Sequence, residues 1–324
     1  MTRYILRRLF QAIPLLLVIS FSVFLLMRFI PGGPLAMYEG NPNVSAEDLE
    51  RLKGELGLDA PIQAQYWNWI TAVVRGDWGM STASRRPALV EITERLPNTL
   101  YLSLTAFFLA LIISIPIGIT SAVKQYSWFD HTTTTFAFLG HSVPLFWLGL
   151  VAIIVFSVTL KNPLTGTPLL PGGGMNTIGD PPTFLDSLWH LILPAGTLAI
   201  YNLATHVRYM RAGMLDILHQ DYIRTARGKG LTERSVLIKH AFKNAILPLV
   251  TIIGLEIPTL LSGTLITETI FSWPGMGRLF FNSIQRGDYA VMMGCLMLSA
   301  TLVVLFGLIT DIVYGFLDPR IRFD

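Results

Sequence analysis

The chain has 324 residues, of which 52% are hydrophobic and only 14% are charged, with a formal net charge of +3. Soluble domains carry roughly 25% charged residues, so a water-exposed fold built from this composition would be under-solvated, and lipid is the natural alternative solvent. A net charge this small gives no electrostatic footprint for nucleic acid. The single cysteine, Cys295, excludes an internal disulfide, and no Cys/His group has metal-ligand spacing.

In chain order, six segments are long and apolar enough to cross a bilayer core, which takes about 20 residues of helix: Leu9–Phe29, Leu100–Val123, Thr133–Leu160, Ser187–Val207, Ala245–Thr267 and Val291–Phe316. Arg3, Arg7 and Arg8 precede the first. It resembles a signal peptide but is longer than a signal core, and Pro31-Gly32-Gly33-Pro34 follows it where a small-residue cleavage site would stand, so it reads as a retained span. Pro14, Pro116, Pro144, Pro194 and Pro258 predict kinks within spans. His141 and His190 read as packed or hydrogen-bonded helix histidines.

The segment after the first span leans acidic (Glu39, Glu47, Asp48, Glu50, Glu55, Asp59). Within it Ser45 and Asp48 predict a capping box at a helix start, and Tyr66, Trp67 and Trp69 suit a membrane interface. Residues 161–186 are rich in Gly and Pro and predict irregular turns. Basic residues gather before span one, at Lys124, between spans four and five (Arg208, Arg211, Arg224, Arg227, Lys229, Arg234, Lys239, Lys243) and at Arg320 and Arg322. With six spans all of these fall on one side, so both termini are expected in the cytoplasm. The expected division is a first span with its cytoplasmic N-terminus over 1–30, an extracytoplasmic region over 31–98, and a core of spans two to six over 99–324 carrying a cytoplasmic loop at 208–244.

No Gly-x-x-x-x-Gly-Lys-Ser/Thr run occurs, so this chain is not expected to bind ATP through a P-loop. No motif for an enzyme stands out either. The basic loop is more informative. Tyr222, Ala226 and Gly230 recur at helical spacing, so small residues would permit close approach of a partner surface along Tyr222–Leu231, a helix expected to run on from spans four and five. A basic helix drawn to anionic lipid fits the same pattern equally well. In the spans, Glu256 carries a charge that is expensive in a bilayer and is expected to face the bundle interior or a wet cavity. Asn202 and His206 are candidates to line the same route, Glu268 is a candidate outer gate, and Asp311 is expected to pair or cap.

The loop resembles the coupling loop of bacterial ABC-importer permeases: Arg224-Thr225-Ala226 stands where Glu-Ala-Ala would, Gly230 is the following glycine, and Leu247-Pro248 closes it. With Asp221-Tyr222-Ile223-Arg224 it is similar to the dipeptide/oligopeptide/nickel branch. Further matches to that branch are Tyr4 to Leu9, Pro31-Gly32-Gly33-Pro34 (with Gly33 where Asp is usual), Leu56-Gly57-Leu58-Asp59, Gly76-Asp77-Trp78-Gly79, Arg95 to Leu100, Phe146-Trp147-Leu148-Gly149, Glu268 to Phe271, Pro274-Gly275-Met276-Gly277 and Asp318 to Arg322.

The resemblance implies an all-α integral membrane protein with six spans and the type I ABC-importer permease fold, in a bacterial inner membrane. It implies no enzyme activity and no cofactor in this chain, ATP and Mg being held by partner subunits. The implied partners are a second homologous permease, two ABC ATPase subunits and an extracytoplasmic substrate-binding protein, besides membrane lipid. Tyr222, Arg224, Thr225, Ala226, Gly230 and Leu231 would couple to the ATPases. The expected cargo is di- or oligopeptide; oligosaccharides and nickel chelates stay open as alternatives, and an ion-driven secondary transporter is the remote one, which the absence of a clear internal repeat disfavours.

Overall fold

A computed structural model describes residues 2–29, 33–35, 44–55, 57–257, 260 and 264–317. Pro31-Gly32, Glu39, Leu56, Pro258 and the Asp318-to-Arg322 stretch lie outside them, as do the side chains of Arg3, His141 and Asp311. Among the described residues there is no β-strand, only two isolated bridges, Met80 with Pro87 and Lys161 with Pro168. The helices in order are α1 (Thr2–Arg28), α2 (Ala46–Glu55), α3 (Ile62–Val74), α4 (Ala88–Val123), α5 (Trp128–Ser142), α6 (Leu145–Ile153), α7 (Phe184–Leu218), α8 (Asp221–Gly228), α9 (Glu233–Ser235), α10 (Lys243–Ala245), α11 (Leu247–Glu256), α12 (Leu265–Ile270), α13 (Met276–Arg286) and α14 (Tyr289–Leu317). A π-helical stretch, Ile154–Thr159, follows α6, and a second, Val236–Phe242, joins α9 to α10.

Among the described residues four helices are long and apolar enough to span a membrane: Leu6–Arg28, Ala88–Val123, Phe184–Leu218 and Tyr289–Thr310. Two bent pairs bring the number to six if each is one span. The third expected span is one of these: its two halves meet at 101° at the break before Leu145. Pro144 cannot donate a backbone hydrogen bond and disfavours helical geometry in the residue before it, so Val143 is extended and the helix ends there. The other pair, Glu233–Ala245 and Leu247–Glu256, meets at 46° with Pro248 in the first turn of α11. It begins twelve residues before the expected fifth span and shares with it only residues 245–256, while 258–259 and 261–263 of that span lie outside the described residues. At 1.5 Å per residue the 36 residues of α4 reach roughly 54 Å, well beyond an apolar core of about 30 Å. The expected span from Leu100 is therefore the apolar part of a longer helix, and its first turns carry Glu91, Glu94 and Arg95 outside the lipid.

Packing divides the chain into two units along a different line from the topological one: residues 1–99, 261–265 and 274–324, and residues 100–260 and 266–273. In the first unit Phe24 and Met27 of α1 pack with Met292 and Met293 of α14. Ser20 meets the Tyr66 hydroxyl at 2.7 Å, and Phe24 and Trp69 are stacked 5.7 Å apart. A second core joins Ala88 and Ile92 of α4 to Met276, Val291 and Cys295. Asp288 caps α14 and accepts from the Ser81 hydroxyl at 2.5 Å, which holds the loop after α3. The expected capping box is present: the Asp48 N–H donates to Ser45 Oγ at 3.1 Å, while the Ser45 N–H and hydroxyl donate to Asp48 Oδ2 at 3.3 and 2.7 Å. Those bonds hold the Asp48 carboxyl below the ordinary range.

In the second unit Leu102 and Ala106 of α4 pack with Leu191, Ala195 and Leu198 of α7 around a fully buried Trp273. Thr183 caps α7 by accepting from the Asp186 N–H at 3.2 Å. His190 is a hydrogen-bonded helix histidine, its Nδ1 2.9 Å from the Asp186 carbonyl. Near its other end α7 meets α10 so closely that a Cβ on Gly213 would lie 2.1 Å from the Ala245 carbonyl oxygen. Only glycine permits that approach.

Candidate functional site: the basic connector and the α7 polar pairs

The connector is built on α8. Its eight residues run from Asp221, an acid at the positive end of the helix dipole, to a last turn holding Arg227, a base at the negative end. Gly230 then turns the chain at φ +75°, the left-handed region that favours glycine. Ile223 and Ala226, three residues apart on one face, are buried at 0% and 6% exposure. They sit in a core with Ala122 of α4, Met210 and Met214 of α7, Val236 and Ala241 of the π segment, Ala245 and Leu249. Tyr222, Arg224, Thr225, Gly230 and Leu231 are exposed.

Two expectations change here. The helix does not run on from span four: α7 stops at Leu218, and His219 and Gln220 make a turn before α8. Its small-residue face does not lie open either. Ala226 is small because it lies against this chain's own core, and Gly230 is a backbone requirement past the helix end. The open surface is the opposite one, with Arg224 and Thr225 at its centre.

Rigid bracing replaces the expected continuity. Arg227 grips Glu233 with Nε and Nη2 at 3.1 and 2.7 Å, which raises the arginine's pKa through that hydrogen bond. Asn244 Nδ2 donates to the Tyr222 hydroxyl at 3.1 Å. Behind the seat, Arg211 of α7 donates from Nε and Nη2 to the two Asp130 oxygens at 2.6 and 2.8 Å. Asp130 also accepts from the Ser121 hydroxyl and, at 3.0 Å, from the Tyr126 N–H. This pair ties the α4–α5 turn to α7. Sequence reading missed it. Arg211 counted only toward the positive cluster, and Asp130 is a lone acid in the first turn of α5.

Deeper in the unit, His206 Nε2 lies 2.6 Å from Glu256 Oε2. His206 is fully buried and its other ring nitrogen has no hydrogen-bond partner among the described residues, whereas the Glu256 side chain is 25% exposed. Two of the three expected pathway residues are thus brought together, with Glu256 the last residue of α11. Asn202, half-buried, precedes His206 by one turn of α7. Glu268 lies in α12 and is fully buried. No group of His, Cys, Asp and Glu among the described residues has the arrangement of a metal site.

Apolar helices of spanning length, joined by a basic connector packed against their ends, are the architecture of an integral membrane protein. Residues 114–323 match the family described as binding-protein-dependent transport system inner membrane component, and residues 1–105 match its N-terminal companion. The chain belongs to this family: it is a multi-pass inner-membrane permease subunit of the ABC-importer kind, not an enzyme, and membership implies ATPase and substrate-binding partners. It is 44% identical to the oligopeptide transport system permease protein AppB of Bacillus subtilis over 100% of both chains. It is 42% identical to the dipeptide transport system permease protein DppB of Escherichia coli over 99% of both, and 38% identical to the glutathione transport system permease protein GsiC of Escherichia coli over 100% of both. In fold it is similar to a chain of the MetNI methionine ABC transporter in an inward-facing conformation, with a TM-score of 0.56 at 17% identity, covering 71% of this chain and 97% of that one.

Proposed function

We propose that this permease forms half of a pathway for di- or oligopeptides and receives mechanical work at α8. The peptide assignment draws support from the dipeptide, oligopeptide and glutathione permeases to which the chain is 38–44% identical over 99–100% of its length. The second half of the pathway is a homologous permease, two ATPase subunits bind and hydrolyse ATP with Mg, and a substrate-binding protein delivers the peptide from outside. Both termini and the 208–244 connector face the cytoplasm, residues 31–98 lie outside, and residues 99–324 form the conducting core.

One observation carries the coupling reading: α8 presents Tyr222, Arg224 and Thr225 outward while Ile223 and Ala226 anchor it in the core that holds α4, α7 and α11. A partner that grips the exposed face, with Gly230 and Leu231 beyond it, moves three membrane helices at once, which is the rigid-body form of switching. Ala226 contributes from beneath, by fixing the seat. Glu256, hydrogen-bonded to His206 and 25% exposed, is the group that would meet a peptide ammonium, with Asn202 one turn from His206 on α7 as a further lining residue. Glu268, enclosed in α12, serves as an outer gate element that changes environment when the outer side opens.

The test uses vesicles holding the assembled importer. Arg224→Glu reverses the charge at the centre of the exposed face without touching the buried one. Uptake of a labelled dipeptide is expected to fall at least about tenfold, as for loss of one interface anchor, while insertion stays normal and ATP hydrolysis no longer responds to loaded binding protein. Wild-type uptake in this variant would remove the coupling role. Vesicles that carry an oligosaccharide or a nickel chelate but no peptide would overturn the cargo assignment.

A further inference from the structure

The first unit contains a cavity of about 320 Å³, at the low end of small-ligand sites of roughly 300–1,000 Å³. Neither the connector nor the α7 pairs reach it. Phe24 and Arg28 line it from the end of α1, Gln65 and Trp69 from α3, Trp78 from the following turn, and Tyr289 from the start of α14. Two buried polar atoms on its walls, Arg28 Nε and Gln65 Oε1, have no hydrogen-bond partner among the described residues, and the buried Tyr289 hydroxyl stands beside the Arg28 guanidinium. Leaving such atoms unsatisfied is unfavourable, so the cavity is polar in a specific pattern rather than an apolar packing defect.

The pattern is held in place. Gln65 Nε2 donates to the Leu58 and Ala60 carbonyls at 2.8 and 2.7 Å, which leaves its oxygen as the end that faces a guest. The Arg28 guanidinium lies over the Phe24 ring at 5.3 Å. Asp77 also lines the cavity, with Oδ1 accepting from the Gly79 N–H at 3.0 Å. A guest must therefore accept from Arg28 and Tyr289 and donate to Gln65, with the Asp77 carboxylate nearby. Position narrows the chemistry further. Arg28 is the last residue of the spanning segment Leu6–Arg28, so the cavity lies at a membrane boundary. The neighbouring Leu26 and Phe29 are exposed apolar side chains. An oxyanion, a hydrogen-bond donor and an apolar tail beside them are the parts of a phospholipid.

We propose that this cavity binds the headgroup of a membrane phospholipid, with its phosphodiester on Arg28 and Tyr289 and a donor-bearing headgroup on Gln65. Bound there, the lipid joins α1, α3 and α14. The assembled importer, reconstituted in nanodiscs of phosphatidylethanolamine or of phosphatidylcholine, provides the test, read by native mass spectrometry after transfer to detergent. Retention of phosphatidylethanolamine is expected to exceed that of phosphatidylcholine, whose headgroup has no donor. Arg28→Gln should lower retention at least about tenfold, the consequence of losing one charge-assisted hydrogen bond. Ala72→Phe, which fills the cavity and leaves Arg28 in place, should lower it similarly. The comparison of the two lipids in the unmodified protein needs no variant to fold. Equal retention of both lipids, retention unchanged by both substitutions, or displacement of the lipid by a dipeptide would each overturn the assignment.

Discussion

Two polar pairs made by α7 lie five residues apart along the helix, at His206 and Arg211, and they are built on opposite plans. Arg211 and Asp130 form a closed set: both carboxylate oxygens are occupied by the guanidinium, and a hydroxyl and a backbone N–H fill the remaining acceptor sites. Such a carboxylate is costly to disturb and has no acceptor site left to offer. His206 and Glu256 meet through one ring nitrogen, the other has no hydrogen-bond partner among the described residues, and the Glu256 side chain is 25% exposed. A carboxylate enclosed with all its acceptor sites filled acts as a fastener; one that stays partly exposed can still meet a ligand.

The harshest challenge to this contrast is Asp130→Ala. It leaves a partly buried Arg211 without its carboxylate, and a loss of about 3 kcal/mol is expected, the low end for breaking a buried pair, measured as a lower melting temperature in detergent and loss of the assembled complex. Normal stability in that variant would erase the distinction. Gly213→Leu attacks the same seat without touching a charge. With the Ala245 carbonyl in the way, repacking is expected to cost about 1–3 kcal/mol, seen as a smaller fall in melting temperature and a proportionate fall in uptake. Glu256→Gln should change stability least, within about 0.5 kcal/mol, because the amide can still hydrogen-bond His206. Its effect should appear in selectivity instead, with uptake of peptides bearing a free amine falling relative to acetylated ones. Equal uptake of both kinds would take Glu256 out of the pathway.

The spans were readable because apolar length is a local property, and so was the capping box, whose partners are three residues apart. The position of the connector was readable from its charge. Its inward face was not. The spacing of Tyr222, Ala226 and Gly230 is compatible with several faces, and only Val236, Ala241 and Ala245, brought back by the π segment, make the side of Ile223 and Ala226 the covered one. The break at Pro144 was anticipated as a kink, but its size depends on what packs on either half.

What the sequence determined by itself was solvent, span positions, helix starts and the placement of its basic segment, since each is decided by neighbours within a turn or two along the chain. Tertiary structure alone decided which polar groups meet: Asp130 with Arg211 across 81 residues, and His206 with Glu256 across 50. The physical reason is that a polar group in a low-dielectric interior must find a partner wherever packing brings one, and no local pattern encodes that distance.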